Sequence, residues 1–547
     1  MMQKDWKIKA KITSKNKGLL LDVLAKNRGL TTPSKLQEFL NPTMELILKV
    51  KPTDLEIAVK RIEKAIGGGE KIIVYSDYDA DGMCGTAIMW ETLNDLGANV
   101  MPYIPHRIRE GYGLSNEAIS GLAERGVNLI ITVDHGVTAV DQVEHAKKLG
   151  VDVVVSDHHV MPKIAPAPYA MVHSVDLCGA GVSWRLCFEI VKKLKPEYKD
   201  TLIGKLELAA LATIADLVPL IGGSRAIVKL GLLELSKTKR PGLLALMRSA
   251  GVSGSTIGTY EIGHILAPRI NAMGRIEHGM DALRLLCTKS QSRADSLAET
   301  LSRTNSRRQD LTTSAVNSAL SMVDVRESLI GIVAHESWHE GVIGLVASRL
   351  VEQYWRPMIA ISRGEMYSKG SARSIPGFNI VEAIRSSSDF LVDAGGHPMA
   401  AGFTIETRHI EVFSEKINKY AKAHITDEIL IPKLEIECEL REEDINHKTL
   451  EVVSLFEPFG VANPQPIFLT RGMTVEDVRC VGADSKHLKL LADGFSAIGF
   501  NMGEWRKKLR PGYTTDLVYT LAEDNFNGNH RIQLKIRDLA VSSTPGV

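Results

Sequence analysis

The stretch "IIVYSDYDADGMCG", Ile72 to Gly85, runs an apolar segment straight into three carboxylates, Asp77, Asp79 and Asp81. "KIIVYS" reads as a buried strand, and "CGTAIMWETLNDLG" as the helix after it, stopped at Gly97. Like charges this close repel, and each raises the others' pKa unless a cation intervenes. A solvated acidic turn, or a helix N-terminus that favours anions, would explain them on structural grounds alone. A divalent-metal site would explain them chemically, because hard cations take several carboxylate oxygens.

Outward from this stretch the pattern repeats. "NLIITV" is a second strand, followed by a helix ending at Gly150, and "VDVVVS" is a third strand. Apolar runs alternating with helical patterns predict a parallel α/β sheet. Each strand ends in potential ligands: Asp77, Asp79 and Asp81, then Asp134, then Asp157, His158 and His159. Open parallel sheets bind ligands outside the carboxyl ends of their strands, so three strand ends could serve one crevice. Asp216 closes the apolar helical run "LELAALATIAD", a poor place for an acid unless a cation is near. Either histidine alone would read as a packed core residue.

The 547 residues suggest about three or four domains. Hydrophobic content of 44% with 24% charged residues fits a soluble globular class. Net charge is only +1, so a polyanion must be met by local basic patches rather than a global field. The cysteines (Cys84, Cys178, Cys187, Cys287, Cys438 and Cys480) form no CxxC pair. That argues against a disulfide framework or a cysteine zinc site and for a reducing cytosol. No apolar run reaches about 18 residues and the N-terminus lacks an apolar core, so neither a membrane span nor a signal peptide is expected.

Residues 1–50 are lysine-rich at first (Lys4, Lys7, Lys9, Lys11, Lys15, Lys17), as in a solvated terminus or a phosphate-contacting arm. Residues 281–326, with "LSRTNSRRQD", read as a polar connecting helix or helix pair. "SLIGIVAH", "GVIGLVASRLVEQYW" and "PMIAIS" open a second α/β unit. Beyond about Ile429, "KLEIECEL", "HLKLLAD", "DLVYTLAE" and "HRIQLKIRDL" alternate as an all-β domain would.

"DYDADG", "VDHG", "SDHH" and "ATIADLVPL" resemble the four motifs of the DHH phosphoesterase superfamily, and "GGHPMAAGF" the glycine-rich motif of its associated domain. "REGYGLS", "GAGVSWRL", "LAPRINAMGR", "NSRRQD", "WHEGVIGLVASRLVEQYWRP", "KGSARSIPGFNI" and "PFGVANPQPIF" resemble, in order, its single-strand-specific 5′→3′ exonuclease family. The resemblance covers roughly residues 50–540 and implies an α/β multidomain protein. After an N-terminal segment (1–50) come a parallel-sheet DHH phosphoesterase domain (51–280), a long connecting helix (281–326), a DHH-associated α/β domain (327–428) and a C-terminal OB-type β-barrel (429–547).

It also implies two divalent metal ions, Mn²⁺ or Mg²⁺, held by Asp79, Asp81, Asp134, His158 and Asp216. Asp134 would bridge, and Asp77 would join or support the set. Two ions about 4 Å apart clamp the attacking and leaving oxygens of a phosphodiester. Asp134 is therefore also catalytic, His159 polarises substrate phosphate and Asp157 orients His158. The resemblance assigns Arg373 with Ser371, and Arg109, to a terminal 5′ phosphate, since the guanidinium fork matches its oxygens. Tyr112 would stack on a base or block a second strand, Gly395 and Gly396 would bring backbone N–H groups to phosphate, and His397 would face the metals. Arg275 and Asn271 would face or buttress the cleft. Surface ion pairs, turns and core packing are the structural alternatives for these residues. In the barrel, His487, Lys489 and "WRKKLR" (Trp505 to Arg510) are candidates for single-strand contact.

The implied protein is a cytoplasmic, monomeric, metal-dependent exonuclease of DNA repair and recombination. Its partners would be single-stranded DNA, a single-strand-binding protein and a helicase. A nanoRNase or cyclic-dinucleotide phosphodiesterase is the alternative within the superfamily, typically shorter and without a barrel. A non-catalytic DNA-binding scaffold is the other, against which the intact acids argue. Two departures from the family stand out: His135 replaces a common cysteine, and His173 and Ser174 replace an Asn-Pro pair ahead of a shortened loop.

Overall fold

The computed structural model describes residues 4–10, 20–107, 110–111, 113–252, 257–324, 328–524 and 531–543. They divide into two compact units, one of residues 48–216 and 230–432, the other of 1–47, 217–229 and 433–547. Strands are numbered along the chain; β1 (Asp5–Ala10) belongs to the second unit.

The first unit opens with a parallel sheet of β2 (Lys71–Ser76), β3 (Asn99–Tyr103), β4 (Leu129–Val133), β5 (Asp152–Asp157) and β6 (Ala170–His173), in the order β3-β2-β4-β5-β6. β2, β4 and β5 are buried nearly throughout, which is why they read as unbroken apolar runs. Strand order reverses between β2 and β4, the switch point at which such sheets open a crevice. Three helices, Ala80–Asp95, Gly179–Leu194 and Leu206–Ala215, pack on one another, the first two also against this sheet, and each is buried along most of its length. The polar run resolves into two helices, Met280–Cys287 and the 32-residue Gln291–Met322.

A second sheet follows in the same unit: β7 (Gly331–His335), β8 (Met358–Ser362), β9 (Tyr367–Arg373), β10 (Leu391–His397) and β11 (Ala400–Glu406), ordered β10-β11-β9-β8-β7. Only β7 and β8 pair in parallel.

The second unit carries β12 (Lys433–Glu439), β13 (Phe468–Val481), β14 (His487–Ala492), β15 (Phe495–Gly499), β16 (Thr514–Asp524) and β17 (Arg531–Ser543). β13-β14-β15-β17-β16 close into a five-stranded barrel through the β13–β16 pairing. β12, read above as one of the all-β segments, lies outside the closed ring, between β1 and β13. The N-terminal segment is therefore built into this unit: β1 pairs in parallel with β12, and Trp6 Nε1 donates to Asp538 at 2.8 Å. Leu24 and Phe39 share a core with Phe456 and Phe468. Lys4 bonds the Arg537 carbonyl and Lys9 pairs with Glu435, so these two lysines have partners inside the chain. Lys11, Lys15 and Lys17 lie outside the described residues.

On the barrel, Lys489 pairs across strands with Arg479, and the His487 ring meets Phe500 edge-on at 5.2 Å. Within "WRKKLR", Leu509 is buried and Trp505 packs on the core, while Arg506, Lys507, Lys508 and Arg510 are exposed. No helix among the described residues is long and apolar enough to cross a membrane.

Candidate metal centre

The acidic run answers to both of its readings. Asp79 caps the helix Ala80–Asp95, its Oδ1 accepting from the amides of Asp81 (2.9 Å) and Gly82 (3.1 Å). Gly82 is required because a Cβ there would lie 2.8 Å from Asp77. Asp77 in turn accepts from the Tyr78 amide at 2.6 Å. Capping uses only part of the acids' capacity, and the other strand ends bring more of them.

Asp134 follows β4 with φ +69°, a left-handed conformation in which Asp is tolerated better than most side chains. His158, just past β5, sets Nε2 3.1 Å from Asp134, 3.5 Å from Asp216 and 3.8 Å from Asp81. Asp216 is the C-cap of Leu206–Ala215. Three groups of possible ligand atoms lie within 4.8 Å of one another: Asp77–Asp79–Asp134, Asp81–His158–Asp216 and Asp134–His158–His159. Asp134 and His158 each belong to two of them.

The electrostatics of these groups fit a cation. Burial, then neighbouring acids, push Asp134 and Asp77 well above the usual carboxylate range. Burial raises Asp81, and burial with the Asp81 and Asp79 charges takes Asp216 up to about 8. His158 is held below its ordinary value by burial. Its Nε2 is sealed from solvent without a hydrogen bond despite the carboxylates around it. A neutral imidazole lone pair aimed at a nest of repelling carboxylates suits Mn²⁺ or Mg²⁺.

The helix Gly179–Leu194 explains "GAGVSWRL". Its first two amides, Gly179 and Ala180, each donate to an Asp81 oxygen at 2.7 Å, placing a positive helix end on that acid. A Cβ on Gly179 would stand 2.5 Å from Asp134 Cβ. Motif spacing alone did not point to these contacts. "PRINAMGR" is likewise explained: Asn271 accepts the Ala80 amide at 2.7 Å and so buttresses the acidic loop, and Gly274 packs on the Tyr78 carbonyl.

One assignment changes. Asp157 does not orient the His158 ring; its Oδ1 accepts from His159 Nδ1 at 2.8 Å and from both histidine amides. Burial lowers His159, but the Asp157 bond and charge outweigh it and raise the imidazole to about 9. The pairing holds Asp157 far below the carboxylate range although burial opposes this. The His159 ring is half-exposed at 47%, so a cationic imidazole faces outward beside the acids. His135 is a packing residue: it is buried, held near 4 by burial, bonded to the Tyr75 carbonyl and edge-on to Tyr75. His173 Nε2 meets the His159 carbonyl at 2.7 Å, and the Ser174 amide reaches the Asp157 carbonyl.

Arg373 and Ser371 lie on β9 and bond each other at 3.1 Å. Gly344, at the start of the helix Ile343–Tyr354, leaves them space; a Cβ there would be 3.0 Å from Arg373. Burial and then the Arg107 and Arg308 charges lower Arg275 to about 10, with Asp79 opposing. Its hydrogen bond, to the Gly341 carbonyl, is long at 3.4 Å. Arg275 thus lies within electrostatic reach of Arg107, Arg308 and Arg373, and of Asp79. His397 ends β10 within the electrostatic reach of Arg373 and His159. Gly395 and Gly396 pair with Gly402 and Ala401 in the β10–β11 hairpin, and Gly396 needs its φ of +142°. Arg109 and Tyr112 lie outside the described residues.

Family models match three stretches: the DHH family N-terminal domain at residues 71–214, the DHHA1 domain at 326–423 and the RecJ OB domain at 436–538. The single-stranded-DNA-specific exonuclease RecJ of Bacillus subtilis is 38% identical over 502 residues, 89% of this chain; the chain spans 63% of that relative's length. RecJ of Haemophilus influenzae is 31% identical over 557 residues, covering 94% of this chain and 95% of the relative. The crystal structure of RecJ in complex with Mn²⁺ from Thermus thermophilus superposes with a TM-score of 0.86 at 30% identity, covering 99% of this chain and 80% of that one. With its three domain types in order and its likeness running nearly end to end, the chain belongs to the RecJ family.

Proposed function

We propose that this chain is a metal-dependent 5′→3′ exonuclease that hydrolyses single-stranded DNA in repair and recombination. The observation that carries the reading is the convergence of Asp77, Asp79, Asp81, Asp134, His158 and Asp216 in overlapping groups of three, the ligand atoms of each group lying within 4.8 Å of one another. We assign these six to two divalent ions, Mn²⁺ or Mg²⁺, which when bound stabilise the attacking and leaving oxygens and ease deprotonation of water. Asp134, which joins Asp77 and Asp79 in one group and His158 in another, would be the bridge. His159, cationic and aimed by Asp157, binds a phosphate oxygen beside the acids. Arg373 with Ser371 takes the terminal 5′ phosphate, joined by Arg109; Arg275, His397 and the Gly395–Gly396 backbone line the same path, and Tyr112 stacks on a base.

We place the working domains at 51–280, 327–428 and 429–547, with residues 281–326 as the connection and 1–50 serving the last. The barrel, with Lys489, His487 and the exposed residues of Trp505–Arg510, lengthens the tracked strand. It favours long substrates over dinucleotides. In the cell we read the protein as a cytoplasmic monomer working beside a single-strand-binding protein and a helicase.

The test is degradation of single strands carrying a 5′ phosphate or a 5′ hydroxyl, a matching duplex and a dinucleotide, with Mn²⁺ or with chelator. Metal-dependent loss of single strands from the 5′ end, faster with a 5′ phosphate, is expected. Preference for the dinucleotide, or equal rates from both ends, would overturn the reading.

A further inference from the structure

An exposed aromatic pair stands on a turn packed against the helix that ends at Asp216, outside the residues assigned above. The segment Ile262–Leu266 is a π-helical turn between the short helix Thr259–Glu261 and the helix Ala267–Ile276. The Ala267 amide reaches back five residues to the Ile262 carbonyl, and Pro268 then brings no amide to the turn. Arg269 Nη1 donates to the Ile265 carbonyl at 2.6 Å. Such π-turns frequently occur at functional sites, because they re-aim side chains.

Here the side chains concerned are Tyr260 and His264. Their rings lie flat against each other, centroids 4.7 Å apart and planes 18° apart. Tyr260 is 63% exposed and His264 is exposed as well. The π-turn packs on the helix Leu206–Ala215, and a Cβ on Gly263 would sit 3.7 Å from Ile214, two residues before Asp216. A large tyrosine left in water gains nothing from burial, yet this one is held by its stacking partner and by the bond from His264 Nδ1 to the Tyr260 carbonyl (3.3 Å). Its outer face is flat and pre-ordered, on a turn that packs against the helix ending at Asp216.

We infer that the Tyr260–His264 pair is a stacking platform for a nucleobase of the strand that enters the metal centre. The inference rests on the reading of single-stranded DNA as substrate. Every base has a π-face, so the platform holds the strand without reading its sequence. Holding one base there limits the sliding of the strand relative to the acids, which is what an exonuclease needs between successive cuts.

The test is binding of a 5′-phosphorylated 20-nucleotide strand in chelator, where no cleavage occurs, followed by fluorescence anisotropy. Tyr260→Ala is expected to weaken binding by about 5- to 100-fold and Tyr260→Phe by less than about 2-fold, since stacking needs the ring and not the hydroxyl. A single abasic nucleotide, moved along the strand, should reproduce the loss at one position in the wild type and cost Tyr260→Ala nothing further there. Affinity of Tyr260→Ala within about 2-fold of wild type, or an abasic penalty that survives in that variant, overturns the platform. A wild type that binds through Tyr260 but does not degrade the strand overturns the nuclease reading and leaves the platform standing.

Discussion

The helices Ala80–Asp95 and Leu206–Ala215 carry buried charge at both ends, and the two ends differ in balance. At one end Glu91 and Glu207 face Arg240 and Lys205. Arg240 bonds Glu91 at 2.6 Å, Glu207 at 2.9 Å and the Leu286 carbonyl at 2.6 Å, and Lys205 reaches Glu91 at 3.1 Å. Two acids meet two bases. Although burial works against it, Glu91 is held below its ordinary value by Arg240 and Lys205. At the other end Asp77, Asp79, Asp81, Asp134 and Asp216 meet His158 and the His159 imidazole, which Asp157 already holds, and Asp77, Asp81, Asp134 and Asp216 are pushed up all the same. A compensated buried network is part of the fold; an uncompensated one is a site whose missing charge comes from outside.

If that distinction is right, damage at the two ends reads out differently. Glu91→Ala leaves the Arg240 guanidinium buried with one acid fewer, and should lower stability by about 3–5 kcal/mol. The urea midpoint would fall at an unchanged slope. The folded fraction should still cleave. Asp134→Asn should do the reverse: the fold survives, because asparagine tolerates the left-handed conformation and relieves repulsion. Cleavage should fall about 10²- to 10³-fold or more, measured at saturating Mn²⁺. Activity within a few-fold of wild type would return Asp134 to the fold. Gly179→Ala lies between the two, since its Cβ meets Asp134 at 2.5 Å. It should cost about 1–3 kcal/mol by overpacking and also raise the Mn²⁺ concentration needed for half-maximal rate. A stability loss with unchanged metal demand would mean that the helix end can shift without disturbing Asp134.

The sequence made the ligand loops legible because their information is local. Apolar runs mark β2, β4 and β5, and the acids follow each at once, so both the sheet and the crevice could be read along the chain. Asp216 was legible from the resemblance of "ATIADLVPL" to a family motif, and only weakly from the poor fit of an acid to a helix C-terminus. Contacts across the chain were not legible. Nothing near Trp6 announces that β1 pairs in parallel with β12, far along the chain. Nothing near Arg225 reveals that its guanidinium gathers the carbonyls of Phe39, Phe456, Glu457 and Pro458. The partner of Asp157 was misread for a related reason. Both histidines follow it directly, and only the turn after β5 decides that the His159 ring folds back onto the carboxylate while His158 points at the acids. The Gly179 and Ala180 amides on Asp81 are backbone groups, which carry no side-chain signature; the paired glycines of "GAGV" are their trace.

The unbalanced end is tested by thermal unfolding of the full chain, with chelator and with rising Mn²⁺, in the absence of DNA. Binding to the folded state alone should stabilise the wild type by about 2.7 kcal/mol at 100 times the dissociation constant, seen as a rising midpoint for the unit that carries the acids. Asp134→Asn should start from a midpoint in chelator at least as high as the wild type's and gain little from Mn²⁺. A wild-type midpoint that Mn²⁺ does not move, or one that rises equally in Asp134→Asn, would contradict the assignment of these acids to a metal centre.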